Sequence, residues 1–498
     1  MSVRVRYAPS PTGFQHIASA RTALYDYLFA RSQGGKFILR IEDTDRKRLV
    51  PEALQDIYDT FSWLGFYWDE GPDVGGTFGP YCQSERLDLY KRHAEDLVAK
   101  GHAYRCYCSE ERLEKLRQDQ QVKTGSEESA DKSTFGYDRH CRNLTDAERR
   151  AAEASGAKSV IRLKVPFEGS TSYNDVILGE ISVENKTLSP DPVLIKSDGF
   201  PTYHMAVVVD DHLMEITHVM RGQEWLPSVP IYIILYAALG WKPPIYCHLP
   251  LVMGKDGRKL SKRLGSTSVR EFREKGYLPE ALLNCIVLVG WSYDDSRELF
   301  SLVDLEKLFD INKLSKSPGV FDYQKLDWFN GMYIRSKTPA ELARLVTPVL
   351  AKAGIDVSSV DAASLEGIAG LVRERIKTLA EVPAMIRYLF EEPAAPAAED
   401  LVPKKTEPER ALGALKAVLD SLSKISGSEE ENERLFRGLA DTLGMKLGDL
   451  LMPVRVAVTG SKVSPPLFES IRLLGLEKTR ARVTRAVDIL AESASRSR

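Results

Sequence analysis

The sequence predicts an α/β fold in which a doubly wound parallel sheet carries an inserted α+β segment and leads into an all-α C-terminal half. Three observations predict it. Strand-like and helix-like runs alternate over residues 1–81, the alternation breaks over 82–190 and resumes at 191, and β-branched runs give way to helical periodicity beyond residue 330.

The elements follow in order. Val3 to Tyr7, a short β-prone run, and Lys36 to Ile41 read as strands, and Ala20 to Ser32 and Pro51 to Leu64 as the helices after them. The first of these helices is expected to be amphipathic. In the interruption, Arg86 to Lys100 reads as a helix, Gln118 to Thr134 as a polar low-complexity loop, and Ser159 to Val165 as a strand. The α/β pattern resumes with Pro201 to Asp211, and Ile245 to Val252 is an apolar strand. Ala340 to Ala353 and Arg410 to Ser423 carry helical periodicity. Pro393, Pro396, Pro403 and Pro408 cannot sit inside a helix, so the stretch from Glu391 reads as a linker between two helical subdomains.

A chain of 498 residues is too long for one core and predicts three or more domains. Its 43% hydrophobic and 28% charged residues are those of an ordinary soluble protein. No charged-then-apolar leader and no run near the roughly 20 apolar residues of a membrane span is seen, so a cytoplasmic location is expected. Six cysteines at this length predict free thiols or metal ligation rather than a disulfide framework. A net charge of −2 argues mildly against a surface coated in positive potential. A nucleic-acid binder needs only a basic track, and candidates are Arg373, Arg375 and Lys377, then Arg472, Lys478, Arg480, Arg482 and Arg485.

The chemistry begins at the N-terminus. Pro9, Pro11 and Gly13 force a turn between the first strand and the first helix, whose unpaired backbone N–H groups suit an anion, and His16 stands at the helix entrance. The run from Ala8 to Ser19 resembles the HIGH signature of class I aminoacyl-tRNA synthetases. With Arg40-Ile41-Glu42-Asp43-Thr44-Asp45 it resembles the glutamyl/glutaminyl branch, and specifically the bacterial-type glutamyl-tRNA synthetase family. Ala18 replaces the usual glycine and adds a methyl where backbone lies against adenine; Ser19, in place of the last histidine, is small as in this branch.

The resemblance covers nearly the whole chain. It implies a Rossmann-type catalytic domain in two halves, 1–81 and 191–250, split by an acceptor-end-binding domain at 82–190. A stem-contact region with a lysine loop follows at 251–330, and helical anticodon-binding subdomains at 331–392 and 409–498. Two segments compete for the lysine loop. Lys313-Leu314-Ser315-Lys316-Ser317 is nearer the KMSKS consensus in letters, but Lys259-Leu260-Ser261-Lys262-Arg263 is flanked by Gly254, Gly257 and Gly265 and delivered by an apolar strand. Lys262 is therefore expected to meet the triphosphate as a mobile point charge.

Glutamate carries two carboxylates and an ammonium, and the resemblance supplies partners by position. Arg6 and Arg221 would take the side-chain carboxylate and Glu42 the ammonium, with Ala8, Ser10, Tyr203, Val207 and Trp225 completing the pocket. Val207 stands where the family usually has asparagine. ATP with Mg2+ would lie against Gly13, His16, Ala18, Glu224, Lys259, Ser261 and Lys262, with His16 and Lys262 catalytic. Cys106, Cys108 and Cys141 resemble part of a structural zinc site of some bacterial members. Asn143 replaces the family histidine, Tyr137 is a family alternative, and His140 is a neighbour.

The reaction implied is ATP-dependent activation of L-glutamate followed by transfer to the 3′-terminal adenosine of glutamate tRNA, by a monomer. Arg375 matches the position at which discriminating members meet the last anticodon base. Two alternatives are a non-discriminating enzyme that also charges glutamine tRNA, and a tRNA-binding paralogue without charging activity. A small-molecule adenylyltransferase would have no use for the helical half.

Overall fold

In a computed structural model of the protein, residues 2–124, 136–260, 265–404, 406–426 and 428–496 are described. The chain forms two compact units, one of residues 1–272 with 282–323 and one of 273–281 with 324–498. Among the described residues no helix is long and apolar enough to cross a membrane.

In the first unit, strand β1 (Arg4–Tyr7) leads through the Pro-rich turn into helix α1 (Ile17–Ser32) and back to β2 (Lys36–Leu39), which pairs in parallel with β1, Val5 opposite Phe37. This is a β–α–β unit, whose parallel strands need such a crossover. Helix α1 is not amphipathic as the sequence suggested. Ala23 to Ala30 are all buried, because the helix contacts β1 and β2 and also the short helix Leu302–Leu308. Helix α2 (Ala53–Leu64) is amphipathic and closes on Gly65 in the left-handed conformation, with φ 86°.

The interruption contains α3 (Leu87–Ala99), β3 (Ala103–Cys106), α4 (Glu110–Thr124), α5 (Asp146–Ala154), β4 (Val160–Leu163), β5 (Ser170–Asp175) and β6 (Gly179–Glu184). The sequence expected a loop from Gln118. Its first residues instead prolong α4 to Thr124, as Glu, Lys, Arg and Gln favour, and the rest of that stretch lies outside the described residues.

Strand β7 (Val193–Ile195) completes an antiparallel sheet in the order β3-β4-β7. Helix α6 (Tyr203–Leu213), β8 (His218–Gly222), α7 (Val229–Leu239) and β9 (Ile245–Leu249) then restore the α/β rhythm. Strands β8 and β9 are parallel, with Arg221 opposite His248. Thr217, just before β8, donates its N–H to the Arg4 carbonyl at 2.9 Å, so the order runs β2-β1-β8-β9. Strands β5 and β6 extend that sheet beyond β9. One buried cluster runs from Tyr90, Leu97, Leu163 and Leu194 to Val207, Val208, Tyr232 and Leu235, so the interruption shares its core with α6 and α7.

The second unit is helical, and its core gathers Leu415, Phe436, Val454, Ile471 and Leu490 from five helices. The helix Pro339–Lys352 opens on a Thr338–Glu341 capping box with Pro339 in its first turn. Pro408, expected to stand outside a helix, opens the helix Pro408–Ser421 at its first position, where its missing N–H is not needed; among its described residues the Pro-rich stretch before it contains no α-helix. It is nevertheless fastened down: Leu401 is fully buried in the helical core, and Arg482 donates to the Glu391 carbonyl and the Glu392 carboxylate.

Candidate active site

The parallel order reverses between β1 and β8, and a cavity of about 460 Å³ lies at the C-terminal ends of those two strands. A crevice is expected there, because the connections leave in opposite directions. Around it the structure brings together Arg6, Ala8, Ser10, Gly13, Glu42, Tyr203, Arg221, Glu224 and Trp225. Val207 faces the buried core of α6 instead, and His16, Ala18 and Lys259 lie outside the lining. Ser261 and Lys262 lie outside the described residues.

On the β1 side the charges are buried and paired. Arg6 Nε and Nη2 donate to the Asp211 carboxylate at 3.0 and 3.4 Å, and Arg40 reaches the same carboxylate at 2.8 Å while also donating to Glu42 at 3.1 Å. Burial opposes the charge on Asp211, yet Arg6 and Arg40 hold its carboxyl below the usual range. Glu42 has fewer partners, and burial pushes it up to about 7 against the pull of Arg40 and Arg6. Sequence reasoning missed Asp211. Its only signal was an Asp210-Asp211 pair at the end of an apolar helical run.

On the β8 side Arg221 donates from Nε to His248 Nε2 at 3.2 Å, and His248 Nδ1 meets Asp175 at 2.7 Å. The guanidinium carbon lies 5.0 Å from the Tyr232 ring centre and 5.9 Å from that of Trp225, which itself stacks on Tyr203 at 4.6 Å. Among the described residues the buried Arg221 Nη2 has no hydrogen-bond partner. At the end of β8 a methyl added to Gly222 would meet the Glu224 carboxylate at 2.1 Å, so the strand end is open to that side chain because residue 222 is glycine.

His16 is the N-cap of α1. Its Nδ1 accepts from the Ala18 N–H at 3.1 Å, which leaves the ring proton on Nε2 as a donor. Ile17 N–H donates to the Thr267 carbonyl at 2.9 Å, and His16 bridges to Ser268, so the helix entrance is tied to the segment after the glycine-flanked lysines. On the preceding side, exposed Lys259 bridges to Met253 across a turn at Gly257 and buried Leu260 anchors the strand. On the following side Tyr323 donates to the Ser266 carbonyl at 2.7 Å. The rival segment is built for packing: Leu314 is buried, Ser315 N–H donates to the Gly290 carbonyl, and Lys316 is exposed.

Away from the cavity, Cys106 ends β3, Cys108 follows it, and Cys141 lies on the turn His140–Asn143. Their three sulfurs all lie within 4.8 Å of one another, and Cys108 and Cys141 are 3.5 Å apart. Four ligands at about 2.3 Å around a tetrahedral zinc would stand about 3.8 Å apart, so the set fits such an ion. The Tyr137 hydroxyl lies 3.3 Å from Cys106 Sγ and 3.6 Å from Cys108 Sγ, whereas the residues His140 and Asn143 are exposed.

In the helical unit Arg375 is exposed just past the C-cap of the helix Ala362–Arg373, and its charge, after burial, lowers Arg455. The basic cluster near the C-terminus divides. Arg482 is buried against Glu392 and the Val458 carbonyl, and Arg485 donates to the Pro393 carbonyl, so these two fasten the proline stretch.

Residues 2–328 match the catalytic domain of the class I tRNA synthetases for E and Q, and residues 341–487 an anticodon binding domain. The chain is 52% identical to a glutamate–tRNA ligase of Treponema denticola over 98% of its length and 99% of the relative. It is 50% identical to one of Borreliella burgdorferi, again over 98% and 99%. A crystal structure of a glutamate tRNA ligase from Elizabethkingia meningosepticum in complex with its amino acid superposes with a TM-score of 0.88 at 35% identity, covering 98% of this chain and all of that one. Full-length likeness to ligases of one amino acid, on a fold whose crevice carries buried cations, leaves one assignment: the chain belongs to the glutamate–tRNA ligase family of class I aminoacyl-tRNA synthetases.

Proposed function

We propose that the protein activates L-glutamate with ATP and Mg2+ and transfers it to the 3′-terminal adenosine of glutamate tRNA. The observation that carries this reading is Arg221, a buried cation lining the cavity with an unpartnered Nη2. An uncompensated buried donor on a charged group costs several kcal/mol unless a ligand meets it, and a carboxylate matches its fork. Arg221 and Arg6 take the side-chain carboxylate, Glu42 takes the ammonium, and Ser10 and Tyr203 add hydrogen bonds.

The α-carboxylate then attacks the α-phosphorus in line. His16 donates from Nε2 to phosphate oxygens, and Lys262 meets them from the loop after Lys259. Gly13, Ala18, Glu224 and Ser261 complete the nucleotide site. Catalysis is positioning and electrostatic stabilisation, with no covalent enzyme intermediate. In the second step a ribose hydroxyl of the tRNA attacks the acyl carbon. Residues 82–190 hold the acceptor end, 251–330 the stem, and the helical subdomains at 331–392 and 409–498 the anticodon. Cys106, Cys108, Cys141 and Tyr137 would hold a structural zinc, which would brace the turn His140–Asn143 against β3 and supply no step of the chemistry.

The test is glutamate-dependent ATP–pyrophosphate exchange with and without tRNA, followed by charging of purified glutamate and glutamine tRNAs. Exchange that needs tRNA, and charging of glutamate tRNA, is the expected result. Tight tRNA binding with no charging of either tRNA would identify the non-catalytic paralogue instead, and charging of both would identify a non-discriminating enzyme.

A further inference from the structure

The two arginines of the cavity are anchored in the same way by chemically different partners. Arg6 presents Nε and Nη2 to Asp211, an anion that balances its charge. Arg221 presents Nε to the imidazole of His248, opposite it on the neighbouring strand. The polarity of that contact is fixed from behind. Asp175 Oδ2 lies 2.7 Å from His248 Nδ1 and accepts the His248 backbone N–H at 3.0 Å, while its Oδ1 accepts the N–H groups of Ile177 and Leu178, each at 3.0 Å. A carboxylate held by that many donors is ionised and can only accept, so the proton sits on Nδ1. Nε2 then carries a lone pair, the one arrangement in which it accepts from a guanidinium that has only donors. Burial favours the same neutral ring.

His248 and Asp175 are fully buried, and neither lines the cavity. Neither touches substrate in the proposed reading. What they control is Arg221: its Nε edge is turned to the sheet, so the Nη edge is the part left for a ligand. A neutral anchor also leaves the guanidinium its full charge, which a carboxylate at the same place would cancel.

We infer that His248 is a positioning residue for amino-acid binding, held as the Nδ1–H tautomer by Asp175 so that its Nε2 orients a fully charged Arg221 toward a substrate carboxylate. The inference rests on the proposed role of Arg221 in binding glutamate. Asp175 reaches the site from β5, within the interruption at 82–190, so that segment supports the amino-acid pocket as well as its own sheet.

The experiment compares His248→Leu, which has no acceptor, with His248→Gln, whose amide oxygen supplies one, and with Arg221→Lys, all by pyrophosphate exchange in the presence of tRNA. Losing a hydrogen bond to a charged group predicts a rise in the KM for glutamate of roughly 10- to 100-fold in His248→Leu. The KM for ATP is expected to stay unchanged, and His248→Gln to return the KM for glutamate to within about threefold of the parent. Should His248→Leu not fold, His248→Met, which also lacks a strong acceptor and adapts to irregular gaps, takes its place. Equal KM rises in the Leu and Gln variants, or a parallel rise for ATP, reduce His248 to a packing residue and overturn the inference. A raised KM in Arg221→Lys with no change in His248→Leu overturns it alone. No change in Arg221→Lys removes the reading of the pocket itself, and the inference with it.

Discussion

Glu42 is the residue at which the pocket's electrostatics are least settled without a ligand, since burial raises its carboxyl from 4.5 to about 7. A value above the ordinary one means that the fold favours the protonated form. That contribution to stability is complete below about 4.5 and is lost as the pH rises through about 7. A bound ammonium reverses the preference, because it attracts the ionised form. The KM for glutamate should therefore rise about tenfold between about pH 8 and about pH 6, following the ionised fraction. Thermal protection by glutamate should be larger at the higher pH, and Glu42→Gln should abolish both dependences. A KM that stays flat over that range in the parent enzyme would show that Glu42 does not meet the ammonium. The lysines give a second test at this scale. Lys316 is exposed on a segment that packs through Leu314, so Lys316→Ala should leave exchange near the parent rate. Lys262→Ala should lower it by roughly 10²–10³, the usual cost of one preorganised transition-state contact. Equal losses in the two variants would overturn the choice of the glycine-flanked segment. At this scale the sequence pointed, through motifs that fix residues by position, to Arg6, Glu42, Tyr203 and Arg221, which the fold brings around the cavity, whereas Val207, His16, Ala18 and Lys259 lie outside its lining. It did not disclose Asp211, Asp175 or His248, whose partners lie far away along the chain: Asp211, on helix α6, meets Arg6 of β1, and Asp175, His248 and Arg221 meet across β5, β9 and β8.

At the scale of elements, the strands and helices that period and punctuation marked out, such as Val3 to Tyr7 and Ala340 to Ala353, fall within a few residues of their observed bounds, but β5, β6, β8 and much of the helical half gave no reading, and the readings of α1 and of the stretch from Gln118 failed. Helix α1 was expected to be amphipathic but is buried on every side, because a helix between a sheet and a second helix has no face left for water. The polar stretch from Gln118 read as a loop for want of apolar spacing, yet its residues are good helix formers and extend α4 to Thr124. The cysteine cluster is an element-scale feature as well. The turn His140–Asn143 meets the end of β3 through Cys141, Tyr137 and the two cysteines of the strand end, with a small apolar cluster around them. Protein purified without chelator should therefore carry about one zinc per chain, and Cys108→Ser should release it. The loss should lower tRNA affinity more than the KM for ATP, since the cluster stands apart from the residues lining the cavity. Metal analysis finding only traces in such protein would leave the thiols as buried free cysteines.

At the scale of the whole molecule, the cavity belongs to the first unit, and the helical unit, which contains the match to an anticodon binding domain, has its own core. Net charge hid this, because a total of −2 says nothing of where cations stand. Nor were the basic clusters equivalent. Arg482 and Arg485 hold the proline stretch onto the helices, whereas Arg375, past its helix end, and Arg472, Lys478 and Arg480 are exposed; of these, Arg375 is the one that the family resemblance sets against the anticodon. A guanidinium there reads a base edge or grips a phosphate, and the two make different predictions. A base-edge contact contributes about 1–3 kcal/mol of discrimination at one position. A phosphate contact weakens every tRNA alike and lowers the salt slope by about one. Because Arg375 matches the position at which discriminating members of the family meet the last anticodon base, the base-edge role is the one expected. Arg375→Gln should thus narrow the preference for glutamate tRNA over glutamine tRNA by roughly 5- to 150-fold, the span of 1–3 kcal/mol. The rate of activation at saturating tRNA should not change, since the cavity is untouched. Charging kinetics on both tRNAs at two salt concentrations decide it: equal loss of affinity for both, with a shallower salt slope, makes Arg375 a phosphate contact and places discrimination elsewhere in the helical unit.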